Sequence, residues 1–139
     1  MIIKKLAIAG VIAVLAMPAW ADAPKVSQET VKPVFLQAIP NIPGKSLISV
    51  VVSYAPGAKS LAHHHAGSAF IFAYVLSGAI RSQVDDAPVK IYHAGESWYE
   101  VPGAHHKVSE NTSATEPAQL LAVFVVDSAD RALTTPDKQ

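Results

Sequence analysis

Five of the six histidines in this sequence fall in two clusters, His63-His64-His65 and His105-His106. Residues two apart on a β-strand point to the same face, so an extended segment presents His63 and His65 together and turns His64 away. The second cluster follows the turn signal Pro102-Gly103, with His105 and His106 as rival contributors. Two imidazoles side by side on a strand, joined by a third from a distant turn, make a metal-binding arrangement. Neutral imidazole suits zinc, iron, copper and nickel, and apolar surroundings rarely collect several histidines without such a partner. The chain has no cysteine. Thiolate ligands, a thiol nucleophile and disulfide staples are therefore excluded, which leaves His, carboxylate, Tyr and main-chain groups for any chemistry. Other constellations are poor. Asp85-Asp86 reads as a turn rather than a catalytic dyad, Ser68 lacks a nucleophile-elbow setting, and Gly57 and Gly67 do not make a phosphate loop.

Holding such a cluster requires strands, and the sequence supplies them. Val- and Ile-rich or alternating segments over residues 34–39, 46–54, 60–65, 70–76, 79–84, 89–93, 97–101, 106–109 and 120–126 are separated by Gly, Pro, Asn and Asp. About nine short strands with regular turn signals predict an all-β sandwich or barrel. The run Phe70 to Leu76 is apolar throughout and bounded by Gly67 and Gly78, which predicts a strand buried on both faces. Phe70, Phe72 and Trp98 are expected in the core or pocket wall. Residues 22–32 lack periodicity and read as a flexible arm, and residues 127–139 as a polar tail.

The N-terminus has the layout of a secretory signal peptide. Lys4 and Lys5 precede an apolar run to Met17, and Ala19-Trp20-Ala21 is a small-residue cleavage site. The run is shorter than the ~20 residues that span a bilayer, so cleavage after Ala21 is expected and the mature protein is placed in the periplasm or outside the cell. The domain plan is then a leader over 1–21, an arm and first strand over 22–45, a barrel over 46–126 and a tail over 127–139. Removing Lys4 and Lys5 from the 11 Lys and Arg leaves nine against 11 Asp and Glu. That balance gives no basic footprint for nucleic acid and no polybasic patch for membrane.

With strands and histidines in place, the sequence resembles the cupins, small double-stranded β-helices of the jelly-roll class. The first cupin motif is matched by Gly57, His63-His64-His65 and the closing Gly78, preceded by Tyr74-Val75-Leu76-Ser77. The second is matched by Gly95, Gly103 and His106. The resemblance covers residues 46–126. It departs in three places. The place of the family's glutamate ligand is held by Ile71 when counted back from Gly78, or by Ala69 or Phe70 when counted on from His65, none of which binds a metal; Val101 stands where its proline belongs (Pro102 follows), and Glu110 where its asparagine belongs (Asn111 follows).

The resemblance implies His63, His65 and His106 as ligands of a divalent transition metal, one of Fe, Zn, Mn or Ni. Glu100, just before the Pro102-Gly103 turn, can replace the missing carboxylate if it faces the barrel interior. Glu100 and Tyr74 are the candidate catalytic proton-transfer groups, and Tyr99 is a further possible ligand contact. The implied function is a metal-dependent enzyme, dioxygenase-like or isomerase-like, acting on a small organic molecule. The alternative is a non-catalytic cupin that binds or senses a metal or small ligand, since one fold hosts many functions. The resemblance also admits a homodimer.

Overall fold

A computed structural model describes residues 29–138; the expected leader and residues 22–28 of the arm lie outside the described residues. The chain forms ten strands: β1 (Glu29–Ala38), β2 (Lys45–Tyr54), β3 (His63–His65), β4 (Phe70–Ser77), β5 (Ala79–Val84), β6 (Lys90–His93), β7 (Ser97–Glu100), β8 (His105–Asn111), β9 (Ala118–Asp127) and β10 (Thr134–Pro136). Among the described residues there is no helix. Two five-stranded sheets, ordered β1-β2-β9-β4-β7 and β10-β3-β8-β5-β6, are antiparallel throughout. This is the double-stranded β-helix that the sequence led us to expect.

Period-two alternation decides what lies between the sheets. Strand β9 sends Ala118, Leu120, Ala122, Phe124 and Val126 inward, and β4 adds Ile71, Ala73 and Val75. Each fully buried Ile or Val contributes about 1.5–3 kcal/mol relative to exposure. Strand β4 corrects the expectation of burial on both faces. Phe70 and Phe72 are 46% and 43% exposed, because the outer face of their sheet carries no further layer among the described residues. They belong to neither core nor pocket wall. An unbroken apolar run reads the same whether or not its second face is covered.

The two ends of the described chain are also more ordered than their composition suggested. Residues 29–32 belong to β1 rather than to a flexible arm, and β1 pairs with β2 along its length, with a register shift between Pro33 and Phe35. Proline has no N–H to give to a ladder, but β1 is an edge strand and a bulge accommodates it. Within the expected polar tail, Thr134, Thr135 and Pro136 pair with His65, His64 and His63. This three-residue strand covers the edge of β3 that would otherwise stay open. It is held by main-chain pairing, which side-chain pattern does not reveal.

The turn from β4 to β5 depends on Gly78. Its φ is +70°, and an added Cβ would lie 2.8 Å from Cβ of Ala118. Left-handed backbone costs a non-glycine residue roughly 1–2 kcal/mol, and overpacking about 1–3 kcal/mol more. Gly78→Ala should therefore lower unfolding free energy by about 3 kcal/mol, read as a shifted urea midpoint at unchanged m-value.

Candidate metal centre

Strands β3 and β8 set the histidines. His63 pairs directly with His106 and His64 with His105, so strand parity turns His63, His65 and His106 inward and the other two outward. One ligand nitrogen from each inward histidine lies within 4.8 Å of the others. The rivalry between His105 and His106 is resolved by this register: His106 is buried and His105 lies on the outer face.

Strand β7 brings the carboxylate. Its inward residues are Trp98 and Glu100, and Glu100 is 2% exposed. Ile71 of β4, in the position where the motif has glutamate, stands directly across from Glu100. The carboxylate has in effect moved one strand sideways within the same sheet. Oε1 of Glu100 accepts a hydrogen bond from Nε1 of Trp98 at 3.0 Å and lies 3.3 Å from Nδ1 of His106. Oε2 lies 2.9 Å from Nε2 of His65. That last pair is an ion-pair contact if His65 is protonated; with His65 neutral and its hydrogen on Nδ1, both atoms are buried acceptors without a hydrogen-bond partner.

The hydrogen bonds around the rings decide what they offer. The Leu61 carbonyl, which can only accept, lies 2.7 Å from Nδ1 of His63. Nδ1 therefore carries the hydrogen, and the neutral ring keeps a lone pair on Nε2. The Leu133 carbonyl faces Nδ1 of His65 at 3.4 Å, again leaving Nε2 as the free nitrogen. Oγ of Ser82 lies 2.9 Å from Nε2 of His106. A hydroxyl accepts as well as donates, so His106 can carry its hydrogen there and leave Nδ1 unprotonated beside Glu100. The three imidazoles then bring ligand nitrogens within 4.8 Å of one another, with the buried Glu100 carboxylate against two of them, His65 and His106, an arrangement that suits a cation. The donor set and the orphaned His65 and Glu100 atoms fit a divalent transition metal.

Electrostatics keep the donors in their ligating states. Burial pushes the His106 imidazole down to about 4, against an opposing pull from Glu100. Burial likewise lowers His63. For Glu100, burial pushes upward, but a proton shared from His65, positive charge on His106 and His65, and the Trp98 hydrogen bond outweigh it and hold the carboxyl below its ordinary range, and a bound cation would take the place of that positive charge. Neutral histidines and an ionised carboxylate are the forms that bind metal.

The cluster opens on a cavity of about 250 Å³ walled by Val50, Val52, Ala73, Leu120 and Phe124. Its polar side is a chain of hydroxyls. Ser60 donates to Glu29, so its Oγ must accept from the Tyr54 hydroxyl at 2.8 Å. The Tyr54 oxygen in turn accepts from Oγ of Ser109 at 2.8 Å. Each hydroxyl has one hydrogen, and the order Ser109, Tyr54, Ser60, Glu29 follows. Burial pushes the Tyr54 phenol up to about 12. Its unfolded value is about 10, so between those values the unfolded chain binds fewer protons and stability falls as pH rises. That slope should disappear in Tyr54→Phe, measured by chemical unfolding at successive alkaline pH values.

Tyr74 does not reach this site. It lies on the outer face of β4, stacked at 6.4 Å against Phe72, while its neighbour Ala73 lines the cavity. Parity corrects the expected role: Ile71, Ala73 and Val75 take the inward positions. Tyr99 also lies outside, 66% exposed. Sequence reasoning missed Ser82, Trp98 as a donor, and the Glu29–Ser60–Tyr54–Ser109 chain. The signal for Ser82 was a polar residue on the inward side of an alternating strand. The hydroxyl chain joins four separate segments and has no local signature.

An all-β double-stranded helix with a buried histidine cluster beside a cavity defines the class of protein. The family model for the cupin domain matches residues 50–124, more than half of the sequence, and the chain belongs to that family. No curated protein matches the sequence. Among solved structures, an uncharacterised double-stranded β-helix protein of Klebsiella pneumoniae superposes with a TM-score of 0.62 at 19% identity, covering 84% of this chain and 90% of that one. Oxalate oxidase in complex with the substrate analogue glycolate matches at 0.57 and 20% identity, over 72% of this chain and 52% of that one. The cupin domain of an XRE-family transcriptional regulator from Enterobacter cloacae matches at 0.55 and 18%, over 70% and 95%. At these identities the likeness is one of fold. This chain spans about half of the oxalate oxidase.

Proposed function

We propose that this protein is a metal-dependent cupin enzyme acting on a small organic molecule in the cavity between its sheets. His63, His65 and His106 are the imidazole ligands, and Glu100 is the carboxylate ligand. The observation that carries the reading is the buried pair of His65 Nε2 and Glu100 Oε2, 2.9 Å apart and without any other hydrogen-bond partner, on the lining of that cavity. A bound iron, zinc, manganese or nickel ion would supply Lewis acidity at a substrate oxygen, or with iron a redox centre.

The chain's own groups do the positioning. Trp98 holds the carboxylate, Ser82 and the Leu61 carbonyl fix the rings of His106 and His63, and such outer contacts set ligand orientation and basicity. The apolar wall keeps water from the body of a bound molecule. Ser60 and Tyr54, whose hydrogens are committed along the chain to Glu29, offer oxygen lone pairs to a hydroxyl at its polar end. A solved protein of the same fold is named for an oxidase and binds glycolate, which supports a small oxygen-bearing substrate here. The leader-like N-terminus supports a periplasmic or secreted location.

The test is to express the full chain, collect the exported protein and measure bound metal by mass spectrometry. About one equivalent is expected, lost in His63→Ala and His106→Ala. A metal-free native protein that also fails to take up added iron, zinc, manganese or nickel overturns the assignment. Oxygen uptake and substrate loss over a panel of small hydroxy and keto acids then separate an enzyme from a module that only binds.

A further inference from the structure

The parity that turns three histidines inward turns two outward. His64 and His105 face each other across β3 and β8 with rings stacked at 4.1 Å and 15°. On the other side of β3, Thr135 of β10 pairs with His64. Asp137 is two residues further along, so an extended chain returns it to the same outer face. Its backbone N–H donates to the Ala62 carbonyl at 2.9 Å, which ties it to β3. Its carboxylate then divides between the two rings: Oδ2 lies 2.8 Å from Nε2 of His105 and Oδ1 lies 3.9 Å from Nε2 of His64.

The geometry points to a second metal site on the outer face of β10-β3-β8, formed by His64, His105 and Asp137 and suited to a borderline divalent ion such as zinc. Two imidazoles and one carboxylate are the donor types that zinc takes, at about 2.0–2.2 Å. The three donor atoms lie within 4.8 Å of one another. Ligands at those bond lengths on a tetrahedral ion lie about 3.3–3.6 Å apart, so the site closes when the two stacked rings splay and turn toward the carboxylate, a movement open to side chains that are partly exposed. His64 and His105 sit on paired strands and Asp137, directly after β10, is held by its bond to the Ala62 carbonyl, so the backbone needs no rearrangement. An ion takes the place of the His105 hydrogen that now meets Asp137, and water completes its shell. This site is independent of the inner one. It faces solvent, has no cavity and holds its ligands less rigidly, so it binds more weakly and exchanges faster.

The test is calorimetric titration of the chelator-stripped full chain with zinc alone, on wild type, Asp137→Asn, His64→Asn and His63→Ala. Two classes of site are expected in wild type. The weaker should lose at least about tenfold in affinity in Asp137→Asn and in His64→Asn, with the stronger unchanged. The weaker should persist in His63→Ala. A weak class that is absent from wild type, or that survives both outer substitutions, overturns the outer site. Asp137→Asn leaves the backbone bond to Ala62 in place, and an unchanged thermal midpoint in stripped protein shows that the fold is intact. Loss of the strong class alone in His63→Ala bears only on the inner centre, so the two assignments fail separately.

Discussion

Glu100→Leu should lower affinity for zinc at the inner centre by at least two orders of magnitude, and adding Ile71→Glu should restore most of it. Outer-shell losses alone cost about 10- to 100-fold, and removal of an anionic ligand from a dry site costs more. The rescue rests on register. Ile71 and Glu100 are directly opposite on β4 and β7, both side chains point inward, and Cβ atoms of such partners lie about 4.5–5.5 Å apart. A glutamate at 71 can therefore aim its carboxylate at the same histidines from the neighbouring strand. The double variant also keeps one carboxylate and one aliphatic residue in the layer, so volume is nearly conserved. Chelator competition on the four combinations gives a double-mutant cycle. If Glu100→Leu binds zinc like wild type, Glu100 is not a ligand. If the single variant fails and the double variant does not recover, the position on β4 cannot serve in this barrel. Ile71→Glu alone places two carboxylates in one buried site, so it should destabilise the metal-free protein while the ion relieves the repulsion.

The position of the carboxylate also marks the boundary of what the sequence could say. Spacing alone placed His63 and His65 on one face, because a strand repeats every two residues. It could not choose between His105 and His106, since a turn of uncertain length precedes them and a one-residue slip reverses every side chain. Glu100 faced the same ambiguity. Its inward direction follows from the pairing of β7 with β4, which joins Glu100 to Ile71, 29 residues earlier in sequence. Tyr74 has the hydroxyl a proton-transfer group needs, but the apolar run around it gives no parity, and only the uncovered outer sheet face shows that Tyr74 lies outside. Likewise β10 and the start of β1 are ordered by main-chain hydrogen bonds to β3 and β2. Such bonds are open to almost any side chain, so composition is silent about them. The hydroxyl order from Ser109 to Glu29 needed four segments brought together before one-hydrogen bookkeeping could be applied.

Metal-free protein should lose about 3 kcal/mol of stability as pH falls from 6.5 towards 4, with His106 as the main source. Its folded value is about 4 against an unfolded value of about 6.5. In that interval the unfolded chain binds the extra proton and the folded chain does not, so unfolding free energy falls with pH. Below about 4 the folded state takes up the proton too, and this contribution flattens. Burial lowers His63 as well, which adds to the same slope. Glu100 acts with the same sign at more acid pH. Its carboxyl is held below the ordinary range, so its contribution is present above about 4.3 and is lost as pH falls through the folded value. Urea unfolding of stripped protein at half-unit pH steps measures the slope, and His106→Asn should reduce it by more than half. A bound ion should shift the curve, because it stabilises only the folded state and its ligands must be deprotonated. With zinc at 100 times its dissociation constant the gain at neutral pH is about 2.7 kcal/mol, and it should shrink steadily on acidification. A flat profile in the stripped wild type would mean that burial does not hold His106 neutral, and stability that instead rises as pH falls through 7 would mean that His106 is protonated in the folded barrel at neutral pH. Its Nδ1 would then be a donor to Glu100 rather than a ligand, and the inner centre would be an ion pair in place of a metal site.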